Sequence, residues 1–492
     1  MKNTVTRAPT WDTLPLLLVY AFTRLHNVLA LPLFVDEAVY IRRSQLVREG
    51  QVLLPAGHSR ILHAWLTAIL GPDPPGGAWL GRVAIVLLGL AGAAALYGLA
   101  RTFVSHRAGL IALALWIASP YGLFYERMSL GDPALAALAV VSVWLAWQMA
   151  RAAQWRWAVA LGIALVAVLL AKASGTAWLP LPVVALILVS KAPWRRRILL
   201  GALSYGTFAA LWGPFMVVLR WRGYDYFATA ERFVGGADRN IIERVWHNLG
   251  EVWGFDVTYL GLPVIVMAMF GALIWLWQRP RPALFGIAAL GMGGGGAIVF
   301  GNILNSRYAL NHVVWVVLLC AVGIGLLIER YPRWRFVPYA AMALWFAIFF
   351  APFAYNAWYH PADLPLNDND LAEYIRRESS GFGVTGAGQM LSAADETLPV
   401  LGLVANCQAL RIAAHPVEVA CPAFDWFGAN EQLFDRAEQT AVQGPLYVVG
   451  ENLVYLDLSG LPQPNTLIAT IERPGSEHTV YLYRVEQGAQ RR

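Results

Sequence analysis

The sequence predicts a polytopic, all-α membrane protein of about eleven transmembrane helices that carries a small external α/β domain at its C-terminal end. Three observations lead there. Hydrophobic residues make up 58% of the 492 and charged residues only 14%, where a soluble domain has about 25% charged. Apolar runs recur at close to the roughly 20 residues that a spanning helix needs. The charge divides sharply: residues 1–355 hold 29 Lys and Arg against 14 Asp and Glu, whereas residues 356–492 hold 8 against 17. That split predicts two domains in two compartments, 1–355 in the membrane and 356–492 outside it. The same composition excludes a string of soluble domains, a disordered or collagen-like chain and a disulfide scaffold.

The apolar runs lie near 12–33, 82–100, 108–124, 133–150, 157–171, 174–190, 197–219, 257–278, 282–303, 309–328 and 335–355. Alternate connections are basic: Lys2/Arg7, Arg101/Arg107, Arg151/Arg156, Lys191/Arg195–Arg197, Arg279/Arg281 and Arg330/Arg333/Arg335. The positive-inside rule places these in the cytoplasm, with the N-terminus, and puts the acidic tail outside a plasma membrane. Basic residues in short clusters between apolar runs are topology signals, and a nucleic-acid surface would instead form a solvated stripe, so no nucleic-acid partner is expected. The first run has no small-residue cleavage site after it and reads as an uncleaved signal anchor. Long connections follow the first and seventh runs on the outer side, which suggests function there.

In the tail, polar turns are expected at Asn367–Asp370 and Gly381–Gly388. Helices are expected at Asp370–Glu378, Ala393–Asn406 and Phe424–Thr440, and strands at Ala409–Ala413, Leu446–Val449, Thr466–Ile471 and Val480–Val485. Cys407 and Cys421 both fall in this external part, where a disulfide is plausible in an oxidising compartment, and Cys320 lies inside a span. Gly293–Gly296 lies in an apolar run without a following Lys-Ser/Thr, so it reads as close helix packing rather than a phosphate loop.

Charges close to hydrocarbon are expensive, so those at the outer ends of spans are candidate functional groups. Four places qualify. Asp36-Glu37 follows the first run directly, and Glu126-Arg127 with Asp132 follows the third. Lys172, one of three lysines against 34 arginines, follows the fifth, and Arg307-Tyr308 follows the ninth. Each has a plainer reading: Asp36 and Asp132 as helix caps, Lys172 as a snorkelling lysine, Arg307-Tyr308 as an interfacial anchor. Taken together they describe one outward-facing cavity with cations suited to a lipid phosphate and a carboxylate suited to taking a proton from a hydroxyl.

These residues carry a resemblance. Arg24-Leu25 followed by Asp36-Glu37-Ala38-Val39-Tyr40 resembles the first span and loop of the GT-C membrane glycosyltransferases, specifically those like the protein O-mannosyltransferases and the lipid A aminoarabinose transferases. Tyr125–Pro133 is similar to their second acidic motif, Leu170–Gly175 to their lysine turn and Arg307-Tyr308 to their late Arg-Tyr pair. The chain departs from them at His58-Ser59-Arg60-Ile61-Leu62-His63, where many relatives have a Pro-Pro-Leu-Tyr segment. His58 and His63 could be metal ligands or helix-face residues; with no Cys partner and no third His nearby the helix-face reading is preferred, so no essential metal is predicted, and a divalent cation is possible but not predicted.

The resemblance implies an enzyme that takes a sugar from a polyprenyl-phosphate carrier and transfers it to a hydroxyl of a protein, lipid or glycan at the outer face. Asp36 would be the general base, with Glu37 and Asp132 beside it in the catalytic group. Lys172 and Arg307, assisted by Arg127 and Tyr308, would hold the donor phosphate. The competing readings are a secondary transporter or lipid-linked sugar flippase, and a noncatalytic anchor for the tail. A transporter predicts internal repeats and charges near the midplane, and no repeat is visible.

Overall fold

The computed structural model describes residues 10–58, 60–228, 240–302, 304–396, 398–422, 432–452 and 456–490. The chain forms two compact units. The first comprises Met1–Val28, Leu46–Leu66 and Arg82–Tyr355, and the second Leu29–Gln45, Thr67–Gly81 and Asn356–Arg492. The first connection is therefore shared between them, a division that hydropathy does not reveal.

The first unit is helical. Among the described residues six helices are long and apolar enough to cross a membrane: Gly77–Phe103, Gly131–Ala152, Trp194–Trp221, Pro280–Phe300, Ser306–Arg330 and Pro332–Tyr359. The pair Ile241–Leu260 and Leu262–Gln278, bent by 112°, makes a seventh if counted as one span. The expected number was about eleven, and the difference lies in runs that the backbone interrupts. The run at 12–33 gives a helix only over Leu14–Leu25, which ends before Asn27 at φ 44°. The run at 108–124 breaks where Ser119 caps a new helix beginning at Pro120, as Ser before Pro commonly does. Trp155–Ala171 and Ala173–Leu188 are apolar but short. At Gly261, φ 76° permits the sharp bend before Leu262.

Helix Ser306–Arg330 runs through the middle of this unit, with 89% of its most apolar window buried. Helix Pro280–Phe300 crosses it closely: a Cβ on Gly293 would lie 2.4 Å from the Asn311 carbonyl, so the glycine run serves helix packing as its composition suggests. The basic connections meet one another at one end of the bundle. Arg279 Nη1 donates to the Phe103 carbonyl at 2.5 Å and Arg196 Nη2 to the Ala153 carbonyl at 2.8 Å, each satisfying a helix C-terminus. Arg24 pairs with Glu126, and Lys172 with Asp132, at the other ends of the helices that carry them.

The second unit is built on a five-stranded sheet of β1 (Val400–Leu403), β2 (Val419–Ala420), β3 (Leu446–Glu451), β4 (Gln463–Glu472) and β5 (Thr479–Gln490) in the order β2-β1-β3-β5-β4. β1 pairs in parallel with β2 and β3, while β3–β5 and β4–β5 are antiparallel. Helices Val384–Ser392 and Cys407–Ala413 share a core with Val400, Val449 and Val480 on one face, and helix Gln432–Gln443 shares another with Leu401, Val448 and Val485. Leu33, Ala38 and Ile41 of the first connection belong to the former core. Cys407 and Cys421 are disulfide-bonded, and Cys320 is free and buried.

Two assignments in the tail are reversed. Val400–Leu403, expected as helix, is a central strand buried on both faces, a setting in which alternation disappears and an apolar run looks helical. Cys407–Ala413, expected partly as strand, is a helix that buries Cys407, Ala409 and Leu410; five apolar-rich residues are too few to show a period. The turn expected at Gly381–Gly388 becomes helix from Val384, because Val384, Ala387 and Leu391 bury one face and override glycine's poor propensity. The Asp370–Glu378 stretch forms a short helix, Asp368–Leu371, followed by a π turn to Arg376. The expected helix at Phe424–Thr440 is present from Gln432, and its beginning lies outside the described residues.

Candidate active site

Lys172 stands in extended backbone between helix Trp155–Ala171 and the turn Ala173–Trp178. Its Nζ donates to Asp132 Oδ1 at 2.5 Å and lies 4.0 Å from the centroid of the Tyr308 ring. The Arg307 guanidinium lies 5.4 Å from the same ring. Three of the four places singled out in the sequence therefore meet around one aromatic ring. Asp132 is not the cap of its helix: Leu130 holds that position, and the Asp132 carboxylate serves Lys172.

Arg60 joins this group. Its aliphatic stem lies beside Gly131, and its charge acts on the Lys172 ammonium. Three cations thus lie near one another in a largely buried setting, a chemistry suited to an anion such as a phosphate. The surrounding turns are tied down. Tyr121 Oη donates to the Ser306 carbonyl at 2.5 Å, Tyr125 bonds the Ser306 hydroxyl, and Tyr226 donates to the Leu169 carbonyl just before Lys172.

Arg127, expected to assist with the donor phosphate, contacts the backbone at the end of the first helix. Its guanidinium donates to the carbonyls of His26 at 2.8 Å and Asn27 at 2.7 Å, closing the end of helix Leu14–Leu25. Burial pulls it down to about 9, with the Arg82 and Arg24 charges acting in the same sense. Next to it, Glu126 accepts from Arg24 Nε at 3.0 Å and from Trp116 Nε1 at 3.2 Å, a buried pair that joins the first helix to the third run.

Asp36 and Glu37 belong to the second unit. Helix Val35–Arg48 starts one residue before Asp36, and the backbone N–H of Phe34 donates to Glu37 Oε2 at 3.2 Å. Glu37, fully buried, thus reaches back to the amide that precedes its helix, as the Glu of a capping box does, while Phe34 has no side-chain oxygen to return the bond. Asp36, half-buried in the first turn, is not the cap. Two turns on, burial lowers the Arg43 guanidinium to about 10 while the Asp36 carboxylate opposes the shift.

Two further pairs escaped the sequence reading. Asp256 Oδ2 and His312 Nε2 are 3.0 Å apart, and His63 Nε2 and Ser129 Oγ are 2.6 Å apart. Ionisable side chains beside or within apolar runs were the available signal for both, as for Arg60. The His58 side chain lies outside the described residues, and among those described no group of three or more His, Cys, Asp or Glu is placed to hold a metal ion.

No protein-family model and no curated protein sequence matches the chain. Solved structures do. ArnT from Cupriavidus metallidurans bound to undecaprenyl phosphate superposes with a TM-score of 0.68 at 18% identity, over 96% of this chain and 98% of that one. The fold is GT-C. Two other structures share the GT-C architecture. The apo oligosaccharyltransferase of Archaeoglobus fulgidus has a TM-score of 0.56 at 12% identity, covering 90% of this chain and 70% of its own. The mycobacterial arabinofuranosyltransferase AftD has a TM-score of 0.53 at 13% identity, covering 97% of this chain and 40% of its own.

Proposed function

We propose that the protein is an integral membrane glycosyltransferase that moves a sugar from a polyprenyl-phosphate carrier to a hydroxyl of a protein, lipid or glycan acceptor. The single observation that carries this is the group of Lys172, Arg307 and Arg60 around Tyr308 and Asp132 in a chain of GT-C fold. The likeness to ArnT, seen with undecaprenyl phosphate, supports the same class of carrier lipid.

In this reading the acceptor hydroxyl gives its proton to the Asp36 carboxylate as its oxygen attacks the anomeric carbon. The bond from that carbon to the phosphate oxygen breaks, its electron pair stays on the phosphate, and the anomeric configuration inverts. Lys172, Arg307 and Arg60 meet the negative charge as it grows on the leaving group, and Tyr308 holds the first two in place through its ring face. Asp132 orients Lys172. Arg127 shapes the loop, and Glu37 holds the helix that bears Asp36. The basic connections that meet at the far end of the bundle support a cytoplasmic N-terminus and an active end at the outer face of a plasma membrane.

The test is incubation of purified protein with radiolabelled polyprenyl-phosphate sugars. Release of free polyprenyl phosphate coupled to acceptor labelling supports the transferase; movement of intact lipid across a vesicle without cleavage would instead make the protein a flippase.

A further inference from the structure

The backbone just before Asp36 is held by the tail from two sides. On one side Asn406, fully buried, donates through Nδ2 to the Leu33 carbonyl at 2.9 Å and to the Ser379 carbonyl at 3.3 Å. The Ser379 carbonyl in turn accepts from the Val35 N–H at 3.0 Å. On the other side Gly381 presses against Leu33, where a Cβ would lie 2.5 Å from the Leu33 carbonyl oxygen and 2.7 Å from its nitrogen.

The two arms are also joined to each other. The Ala405 N–H, adjacent to Asn406, donates to Glu451 Oε1 at 2.7 Å. Glu451 Oε2 accepts from Arg473 Nη2 at 2.5 Å, and Arg473 Nε donates to the carbonyl of Phe382, adjacent to Gly381, at 3.0 Å. A closed ring of contacts thus runs from Leu33 through Asn406, Glu451, Arg473 and Gly381 back to Leu33. Cys407, next in sequence to Asn406, carries the disulfide to Cys421.

This ring is a costly way to hold a core together. Glu451 and Arg473 are 0% and 2% exposed, and among the described residues Arg473 Nη1 and Asn406 Oδ1 are buried without a hydrogen-bond partner. A well-packed apolar core of the same volume avoids both penalties. What directional bonds supply, and apolar contacts do not, is a fixed location for one short stretch of backbone.

We infer that Asn406 and Gly381, braced by the Glu451–Arg473 pair, are positioning residues that set the location of Asp36 for proton transfer. The inference rests on Asp36 acting as the base. The tail is then part of the catalytic apparatus without touching the reacting atoms.

The experiment compares Asn406→Asp, which removes both amide donors at constant size, and Gly381→Ala in two backgrounds, the natural chain and Asp36→Asn. Polyprenyl-phosphate affinity and single-turnover transfer are measured in each. Expected are donor affinity within about twofold of the natural chain and a transfer rate reduced about tenfold or more, a reduction that vanishes in the Asp36→Asn background. Normal transfer by folded variants overturns the inference, as does an equal fold-reduction in both backgrounds, because that is the mark of a structural effect independent of Asp36. Where a variant does not accumulate as folded protein, Glu451→Gln takes its place, since it keeps an acceptor for Ala405 and weakens the tie to Arg473. Near-normal transfer by Asp36→Asn alone removes the base assignment itself and is read separately.

Discussion

Asp132 and Lys172 meet at 2.5 Å across 40 residues of sequence, and the bond joins the start of one helix to the end of the next. It leaves Lys172 aimed at the Tyr308 ring, so the carboxylate directs the ammonium as well as neutralising it. Asp132→Asn should therefore lower turnover while polyprenyl phosphate binds as well as before or better, since the cluster gains net positive charge. Calorimetric titration of the variant with the lipid phosphate checks this; weakened binding would mean that Asp132 itself contacts the donor.

Lys172→Ala and Arg307→Ala should each weaken donor binding about 10- to 150-fold, corresponding to the ~1.5–3 kcal/mol of a charge-assisted contact. Arg60→Ala should act in the same direction. Unchanged affinity in all three would remove the cluster from the donor site.

Asp36→Asn should fold normally, because Asp36 is not the cap of its helix. Transfer should fall by about 10²–10⁴, the range of general-base catalysis, with donor affinity retained. Single-turnover rates at saturating donor measure the effect directly.

Glu37 makes the contrasting case. Glu37→Gln keeps a side chain able to reach back to the Phe34 N–H and should be close to silent in stability and turnover. Glu37→Ala should cost roughly 0.5–2 kcal/mol of stability. Thermal melts of the two variants beside their turnover separate a capping role from a catalytic one, and a large rate loss in Glu37→Gln without loss of stability would assign Glu37 to the chemistry.

Topology is checked with single cysteines at the exposed positions Arg195 and Val442. In intact cells a membrane-impermeant thiol reagent should label Val442→Cys and spare Arg195→Cys. The reverse pattern would place the tail, and with it Asp36, in the cytoplasm.

The sequence was most informative where a charge interrupts hydrocarbon. Lys172, Asp132, Arg307 and Tyr308 were legible because hydrocarbon tolerates such side chains only with partners, and the structure supplies those partners. Arg127 carried the same signal for a different reason: its cost is met by backbone carbonyls at the end of a helix. Periodicity cannot separate these two causes. Asp36 and Glu37 show a further limit, since two adjacent acids at a helix start look alike in sequence, and one residue of helix boundary decides which of them caps. In the tail, β3, β4 and β5 were visible through alternation and β-branched content. β1 was hidden because both its faces are buried, and the ring from Leu33 to Arg473 was invisible because its members come from distant parts of the chain.

The grouping of Leu33, Ala38 and Ile41 with Val480 and Leu482 of the last strand has a consequence for biosynthesis. Helix Val35–Arg48 is among the first segments to be made, yet the core its apolar face enters is completed only when Val480 and Leu482 of β5 have been synthesised. A nascent chain halted before Thr479 would hold the polar contacts of Asn406, Ser379 and Gly381 but lack Val480 and Leu482 from the core that Leu33, Ala38 and Ile41 enter. On the proposed function, the loop that bears Asp36 therefore gains its complete packing only near the end of synthesis.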